Sequence, residues 1–160
     1  MGDEIVLIYE TTGRVVPPGA LPIECGVAVF NVETLYNVYR ALWEKKPVTE
    51  KYVTIAGEVE HPITVHVPIG TRIKDAVAMA GQVTTKNPVY LLGGPMMGRF
   101  GQDYEPVVKT TNAIIVLPKE HSLVYKKSTR FSVSVARAAS SCCQCQTCTD
   151  LCSRQSLGHP

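Results

Sequence analysis

Long apolar runs are missing from this chain of 160 residues. The longest, residues 5–9 and 113–118, fall far short of the roughly 20 residues that a membrane-crossing helix needs. An acidic pair, Asp3 and Glu4, stands where a signal peptide would carry positive charge. A large excess of either charge is missing too: 16 Lys and Arg against 14 Asp and Glu leave +2, without the basic stripe by which a domain holds nucleic acid. Lys45 with Lys46, and Lys126 with Lys127, read as ordinary solvated charge. There is no internal repeat and no low-complexity tract. No serine–histidine–acid set can be read, and His61, His66, His121 and His159 share no catalytic or metal-ligand spacing. What remains, 45% apolar and 19% charged, is the composition of a globular cytoplasmic protein long enough to bury a core without metals or disulfides.

The cysteines therefore need another reason. Of six, Cys25 stands alone, whereas Cys142, Cys143, Cys145, Cys148 and Cys152 fall within eleven consecutive residues. Cys142, Cys145, Cys148 and Cys152 spell C-x-x-C-x-x-C-x-x-x-C, the bacterial ferredoxin-type run for a [4Fe–4S] cluster. At this spacing three thiolates can converge on one cube as the chain wraps it, and the fourth follows one helical turn later. Zinc and ordinary thiols are the alternatives. Zinc ribbons and fingers set two ligand pairs roughly 12 to 20 residues apart, and no second pair is present. Disulfides between such close cysteines would be strained, and a cytosolic setting keeps thiols reduced. Ser153 stands where ferredoxin-type runs usually carry proline, and no second run supplies the reciprocal ligand of a two-cluster protein. Cys143 is an extra thiol inside the run, read as an oxidation liability ahead of a surrogate ligand.

Three segments are expected. In the first, residues 1–47, the β-branched residues 5–9 suit a strand, yet Asp3 and Gly13 could cap a helix, and local rules leave the choice open. Prolines at 17, 18 and 22 argue against regular structure, residues 26–30 form a short strand candidate, and Asn31 caps a helix carrying Leu35, Val38, Tyr39 and Leu42. In the second, residues 48–119, Val53 and Ile55 alternate with polar neighbours and residues 57–62 turn the chain. Ile63, Val65 and Val67 return, Ile73, Ala76, Val77 and Ala80 line a short helix, and two apolar strands follow at 89–92 and 113–117. Strand, strand, helix, strand, strand is the order of a β-grasp fold, so the fold class is α+β. The loop GGPMMG, residues 93–98, lacks the Lys-Ser/Thr ending of a phosphate loop; its glycines suit positive φ, and Met96 and Met97 suit packing against a neighbouring domain. In the third, residues 120–160, a linker feeds a short helix at 133–139 that delivers the cysteines.

The order of motifs is also informative: GDE at 2–4, TGR at 12–14, ALP at 20–22, GVAVFNVETL at 26–35, PVT at 47–49, YVTIAGEV at 52–59, VPIGT at 67–71, GGPMMG at 93–98, VVKTTNAIIVLPK at 107–119, and then the cysteine run. This order resembles the RnfC-like flavoprotein family over essentially the whole chain. Its members include the NADH-oxidising subunit of the Rnf electron-transport complex and, nearer to this sequence, the cobalamin reductase of propanediol-utilisation microcompartments. The resemblance implies an α/β domain binding FMN and NADH, a soluble-ligand-binding β-grasp (SLBB) domain, and a ferredoxin-like domain with two [4Fe–4S] clusters. On that basis residues 1–47 are the C-terminal remainder of the flavin domain, 48–119 the SLBB domain, and 120–160 a linker and the first half of the ferredoxin-like domain, so the chain is expected to be an internal fragment. Asp3, Glu4 and Asn31 would then lie near flavin or nicotinamide. The family's glycine-rich loop is missing, so this chain alone is not expected to bind FMN or oxidise NADH.

The resemblance further implies a path for electrons from NADH through FMN to [4Fe–4S] clusters, and on to cobalamin, ferredoxin or a quinone-side partner. Other redox subunits or a cobalamin enzyme would be its partners, inside a microcompartment or on the cytoplasmic face of a membrane complex. The competing reading is a non-catalytic β-grasp module that docks a ligand or partner, with the cysteines as a structural zinc site.

Overall fold

In the computed structural model, which describes residues 3–154 and Leu157, the chain divides into two compact units, Met1–Tyr36 with Val135–Pro160, and Asn37–Ser134.

In the first unit the choice left open at residues 5–9 falls to the helix. Helix α1 spans Glu4–Thr12; Asp3 caps it, its carboxylate accepting from the N–H groups of Ile5 (3.0 Å) and Val6 (3.4 Å), and Gly13 ends it at φ 69°. Two satisfied ends and a buried face outweigh the strand preference of the β-branched residues. Ile5, Ile8 and Val16 are buried, and Ala20, Cys25, Val27 and Leu157 pack around them. Two expectations need correction here. Pro22–Cys25 forms a 3₁₀ turn, because proline at the first position of a helical turn gives up an N–H that has no partner anyway. Residues 26–30 are not a strand: Gly26, at φ 69°, closes that turn, the Val27 N–H donates back to the Pro22 carbonyl at 3.2 Å, and the segment joins no sheet before the next helix.

That helix, α2, spans Val32–Trp43, as the spacing predicts. None of its residues is buried, and its apolar stripe, including Leu35, Val38, Tyr39 and Leu42, is exposed. Tyr39 and Trp43 stack with ring centroids 5.5 Å apart.

The second unit is built on a five-stranded sheet. Strands β1 (Glu50–Gly57), β2 (Ile63–Pro68), β3 (Pro88–Leu92), β4 (Arg99–Gly101) and β5 (Ala113–Pro118) lie in the order β2-β1-β5-β3-β4. Neighbours are antiparallel except β1 and β5, which run parallel with Ile55 beside Ile114. Helix α3 (Ile73–Ala78) connects the two hairpin-like halves. A mixed sheet with its first and last strands side by side at the centre is the β-grasp arrangement, and the α+β expectation holds.

The sheet is buried on both faces around its centre. On one face Val53, Ile55, Ile114 and Val116 pack with Ile73, Ala76 and Val77 of α3. On the other, Leu91 and Leu117 pack with Val124 of helix α4 (Ser122–Ser128). Double-sided burial explains why residues 113–118 read as a continuous apolar run and not as an alternation. Each fully buried aliphatic side chain contributes roughly 1.5 to 3 kcal/mol by removal from water. Gly57 makes the central parallel pair possible: at φ 94° it lies so close to the Val116 carbonyl that a β-carbon has no room.

Helix α4 occupies part of the stretch expected to be linker; His121 caps it, Nδ1 accepting the Leu123 N–H at 3.1 Å. Helix α5 (Phe131–Ser141) contains the predicted 133–139 helix and ends one residue before Cys142. Among the described residues no helix is long and apolar enough to cross a membrane.

Candidate functional site

The cysteine run leaves the end of α5 as an open loop. Gln144 (φ 57°) and Gln146 (φ 61°) adopt the left-handed backbone conformation between Cys143 and Cys148. A short helix, α6 (Thr147–Asp150), carries Cys148 and leads to Cys152. Cys142, Cys143, Cys145, Cys148 and Cys152 are all exposed free thiols, whereas Cys25 is half-buried against the core of the first unit, its thiol 3.7 Å from the Val15 carbonyl oxygen. Thr147 donates its hydroxyl to Cys145 Sγ at 3.3 Å. That bond, a backbone hydrogen bond from Thr147 and one from the Cys143 side chain bring the Cys145 thiol down to about 7, so much of it is thiolate at neutral pH, the form that binds metals.

As a donor set, four thiols at C-x-x-C-x-x-C-x-x-x-C on a solvent-facing segment fit a [4Fe–4S] cluster. Their side chains are not gathered into a ligand group: among the described residues no three His, Cys, Asp or Glu side chains stand close enough to hold a metal ion. Cys142, Cys145, Cys148 and Cys152 would have to swing inward around a cluster.

The residues assigned to the flavin by resemblance have local partners. Asp3 caps α1 through Oδ1 and accepts from Arg154 Nε at 2.7 Å through Oδ2. The Arg154 guanidinium above all holds its carboxyl below the usual carboxylate range; burial opposes this, and the backbone donors Ile5 and Val6 add to the lowering. Glu4 is exposed in the first turn of α1. Asn31 lies just before α2, its Oδ1 accepting the Glu33 N–H at 2.9 Å.

Several side chains have more to do than sequence suggested. Lys127 is half-buried and donates to two carbonyl groups of the 93–98 loop, those of Met96 and Gly98, whereas Met96 and Met97 are 89% and 93% exposed. Of the loop's glycines only Gly93 has positive φ. His66 stacks on Tyr52 with centroids 4.3 Å apart and lies 3.5 Å from Glu50, and His121 caps α4. His159 lies outside the described residues. No sequence signal pairs Arg154 with Asp3; a hydroxyl two residues after Cys145 was the visible hint of Thr147.

Two family models match. Residues 52–100 match the SLBB domain, and residues 1–40 match the Nuo51 FMN-binding domain. The cobalamin reductase PduS of Citrobacter freundii is 45% identical over 161 aligned residues, covering 99% of this chain and 35% of the relative. The RnfC-type subunit of the ion-translocating oxidoreductase complex of Edwardsiella ictaluri is 36% identical over 152 residues, covering 91% of this chain and 17% of the relative. Its counterpart in the Na(+)-translocating ferredoxin:NAD(+) oxidoreductase complex of Acetobacterium woodii is 33% identical, covering 94% and 32%. The chain is homologous to these RnfC- and PduS-type proteins. It spans about a third or less of their length. Within that span lie the FMN-binding-domain match, the SLBB match and the cysteine run, in that order along the chain.

Proposed function

We propose that this chain is the electron-transfer part of an NADH-dependent flavin and iron–sulfur oxidoreductase. Cys142, Cys145, Cys148 and Cys152 would hold a [4Fe–4S] cluster, with FMN and NADH bound in the longer parent protein. The observation that carries the reading is the four-cysteine spacing on an exposed loop with two left-handed residues, in a homologue of PduS and of RnfC-type proteins. Bound there, the cluster would supply one-electron chemistry between the two-electron flavin and an acceptor such as cobalamin or ferredoxin. The chain's own contribution would be to ligate through four thiolates, with the Cys145 thiol lowered toward its ionised form, and to keep the run at the surface where a partner can approach.

The domain division that goes with this is 1–47 as the remainder of the FMN and NADH domain, 48–119 as the SLBB domain, and 120–160 as linker and half of a ferredoxin-like domain. Asp3, Glu4 and Asn31 would face the flavin side in the parent protein. Partners would be other redox subunits or a cobalamin enzyme, in the cytoplasm, within a microcompartment or at the face of a membrane complex.

Anaerobic reconstitution of the chain with iron and sulfide tests this. The expected result is a broad brown charge-transfer absorption and about four irons per chain, as the cluster type requires; zinc bound in its place, with no such band, overturns it. Added FMN is expected to keep its fluorescence.

A second reading has one observation in its favour. In the second unit an open cavity of about 720 Å³ is lined by Tyr90, Phe100, Gln102, Asp103, Lys119 and Val124 among others. Mixed polar and apolar walls of this size suit a small ligand. The β-grasp would then be a non-catalytic docking module for a ligand or partner, with the cysteines as a structural zinc site.

A further inference from the structure

The end of the cysteine run is tied down. Arg154, two residues beyond Cys152, donates from Nε to Asp3 Oδ2 at 2.7 Å, while the other oxygen of the same carboxylate caps α1. Three residues further on, Leu157 packs with Ile5, Ile8 and Val16, and its N–H donates to the Arg154 carbonyl at 3.0 Å. An exposed ion pair alone contributes little. Here it joins one rigid helix start to the chain immediately after the fourth thiol, with an apolar anchor beyond it. The loop from Cys142 to Cys152 is otherwise exposed throughout.

We propose that the Asp3–Arg154 pair is a positioning device for the iron–sulfur site, fixing where Cys152 can stand and setting the charge beside it. This inference rests on the [4Fe–4S] reading of the cysteines. Two consequences follow from the pair's chemistry. First, loss of the tie lets the fourth thiolate leave more often, so bound iron escapes faster. Second, an electron arriving at the run adds one negative charge there. Removing Asp3's charge leaves Arg154 uncompensated and favours that electron, whereas removing Arg154's charge leaves Asp3 uncompensated and disfavours it.

The test uses the full chain and its Asp3→Asn, Arg154→Gln and Arg154→Lys variants, reconstituted anaerobically. Asparagine caps helices as well as aspartate, so Asp3→Asn keeps the start of α1 and removes only the charge. Iron retention under a chelator, the midpoint potential followed by electron paramagnetic resonance, and thermal unfolding of the iron-free chains are measured. Asp3→Asn and Arg154→Gln are expected to lose iron several-fold faster than the unsubstituted chain, with potentials shifted up and down respectively, and Arg154→Lys to stay close to it. Unaltered retention and potential in both charge-removing variants overturns the proposal. So do potential shifts of the same sign, or a change confined to iron-free unfolding. If the unsubstituted chain itself takes up no iron–sulfur cluster, the failure lies in the reading of the cysteines, and the proposal falls with it.

Discussion

Lys127 of α4 donates its ammonium to the carbonyl oxygen of Gly98 at 2.9 Å, and the same nitrogen reaches the carbonyl of Met96 at 3.1 Å. The 93–98 loop is closed from within as well: the Gly98 N–H donates to the Gly94 carbonyl at 2.7 Å, and a β-carbon at position 98 would press on the Gly94 and Leu92 carbonyls. Two almost fully exposed methionines are therefore held out on a backbone that is pinned. Lys127→Met should cost about 1 to 2 kcal/mol, the roughly 1.5 to 3 kcal/mol of a hydrogen bond to a charged group reduced by solvent screening at a half-exposed site. Amide hydrogen exchange across residues 93–98 should accelerate while exchange in β1 and β5 stays slow; unchanged loop exchange would show that the ammonium contributes nothing to the loop.

Gly57→Ala is expected to be far more damaging than a surface substitution. Its φ of 94° strains any L-residue, and the new methyl would meet the Val116 carbonyl across the parallel β1–β5 pair. The loss should reach roughly 2 to 4 kcal/mol, combining backbone strain with a displaced sheet neighbour. Chemical denaturation measures it. Gly13→Ala, where the φ is also positive but open space surrounds the position, should cost less.

Acid should loosen the β4 corner through Glu105. Its carboxylate accepts from Arg99 Nη2 at 2.6 Å and from the Gln102 N–H at 2.7 Å. The guanidinium first, then the backbone donor, hold its carboxyl below its ordinary value of 4.5. A depressed folded-state value means that the contribution is complete above the unfolded value and is lost as pH falls below 4.5 through the lowered one. The midpoint of unfolding should therefore drop over that acid window, and Glu105→Gln should flatten this part of the profile while leaving neutral pH the place where its own cost is largest. Denaturation curves at a series of pH values between neutral and strongly acid read both effects.

Cysteine replacements should sort by spacing. Cys142→Ser, Cys145→Ser, Cys148→Ser and Cys152→Ser are each expected to lower iron content after reconstitution, whereas Cys143→Ser and Cys25→Ser should keep the absorption band of the unsubstituted chain. Cys143 is out of step with the ligand spacing, and Cys25 sits against Val15 in an apolar cluster. Retention of the full band by Cys148→Ser would contradict the ligand assignment.

Much of the β-grasp was legible because its signals are local. Alternation marks β1 and β2, and a six-residue apolar run marks β5. Strand β4 was not visible, since three residues, Arg99–Gly101, carry no period and owe their conformation to pairing with β3. Helix α1 could not be separated from a strand until both caps and the burial of Ile5 and Ile8 were in place. The cysteine run was readable from spacing alone. Its tether was not, because Arg154 meets Asp3 across 151 residues of sequence and no composition or period records such a meeting.

The central place of β5 has a consequence for how the second unit comes into being. The β1–β2 pair and the β3–β4 pair touch no common strand until residues 113–118 slide between them. Two-stranded ribbons are marginal by themselves in water, so a chain emerging from the ribosome carries two separate, weak ribbons until its keystone strand appears. Assembly is thereby postponed to the last strand and then completed in one cooperative step, with the slow folding that distant pairings bring. Truncation anywhere before residue 113 should abolish the whole sheet, including the strands made first.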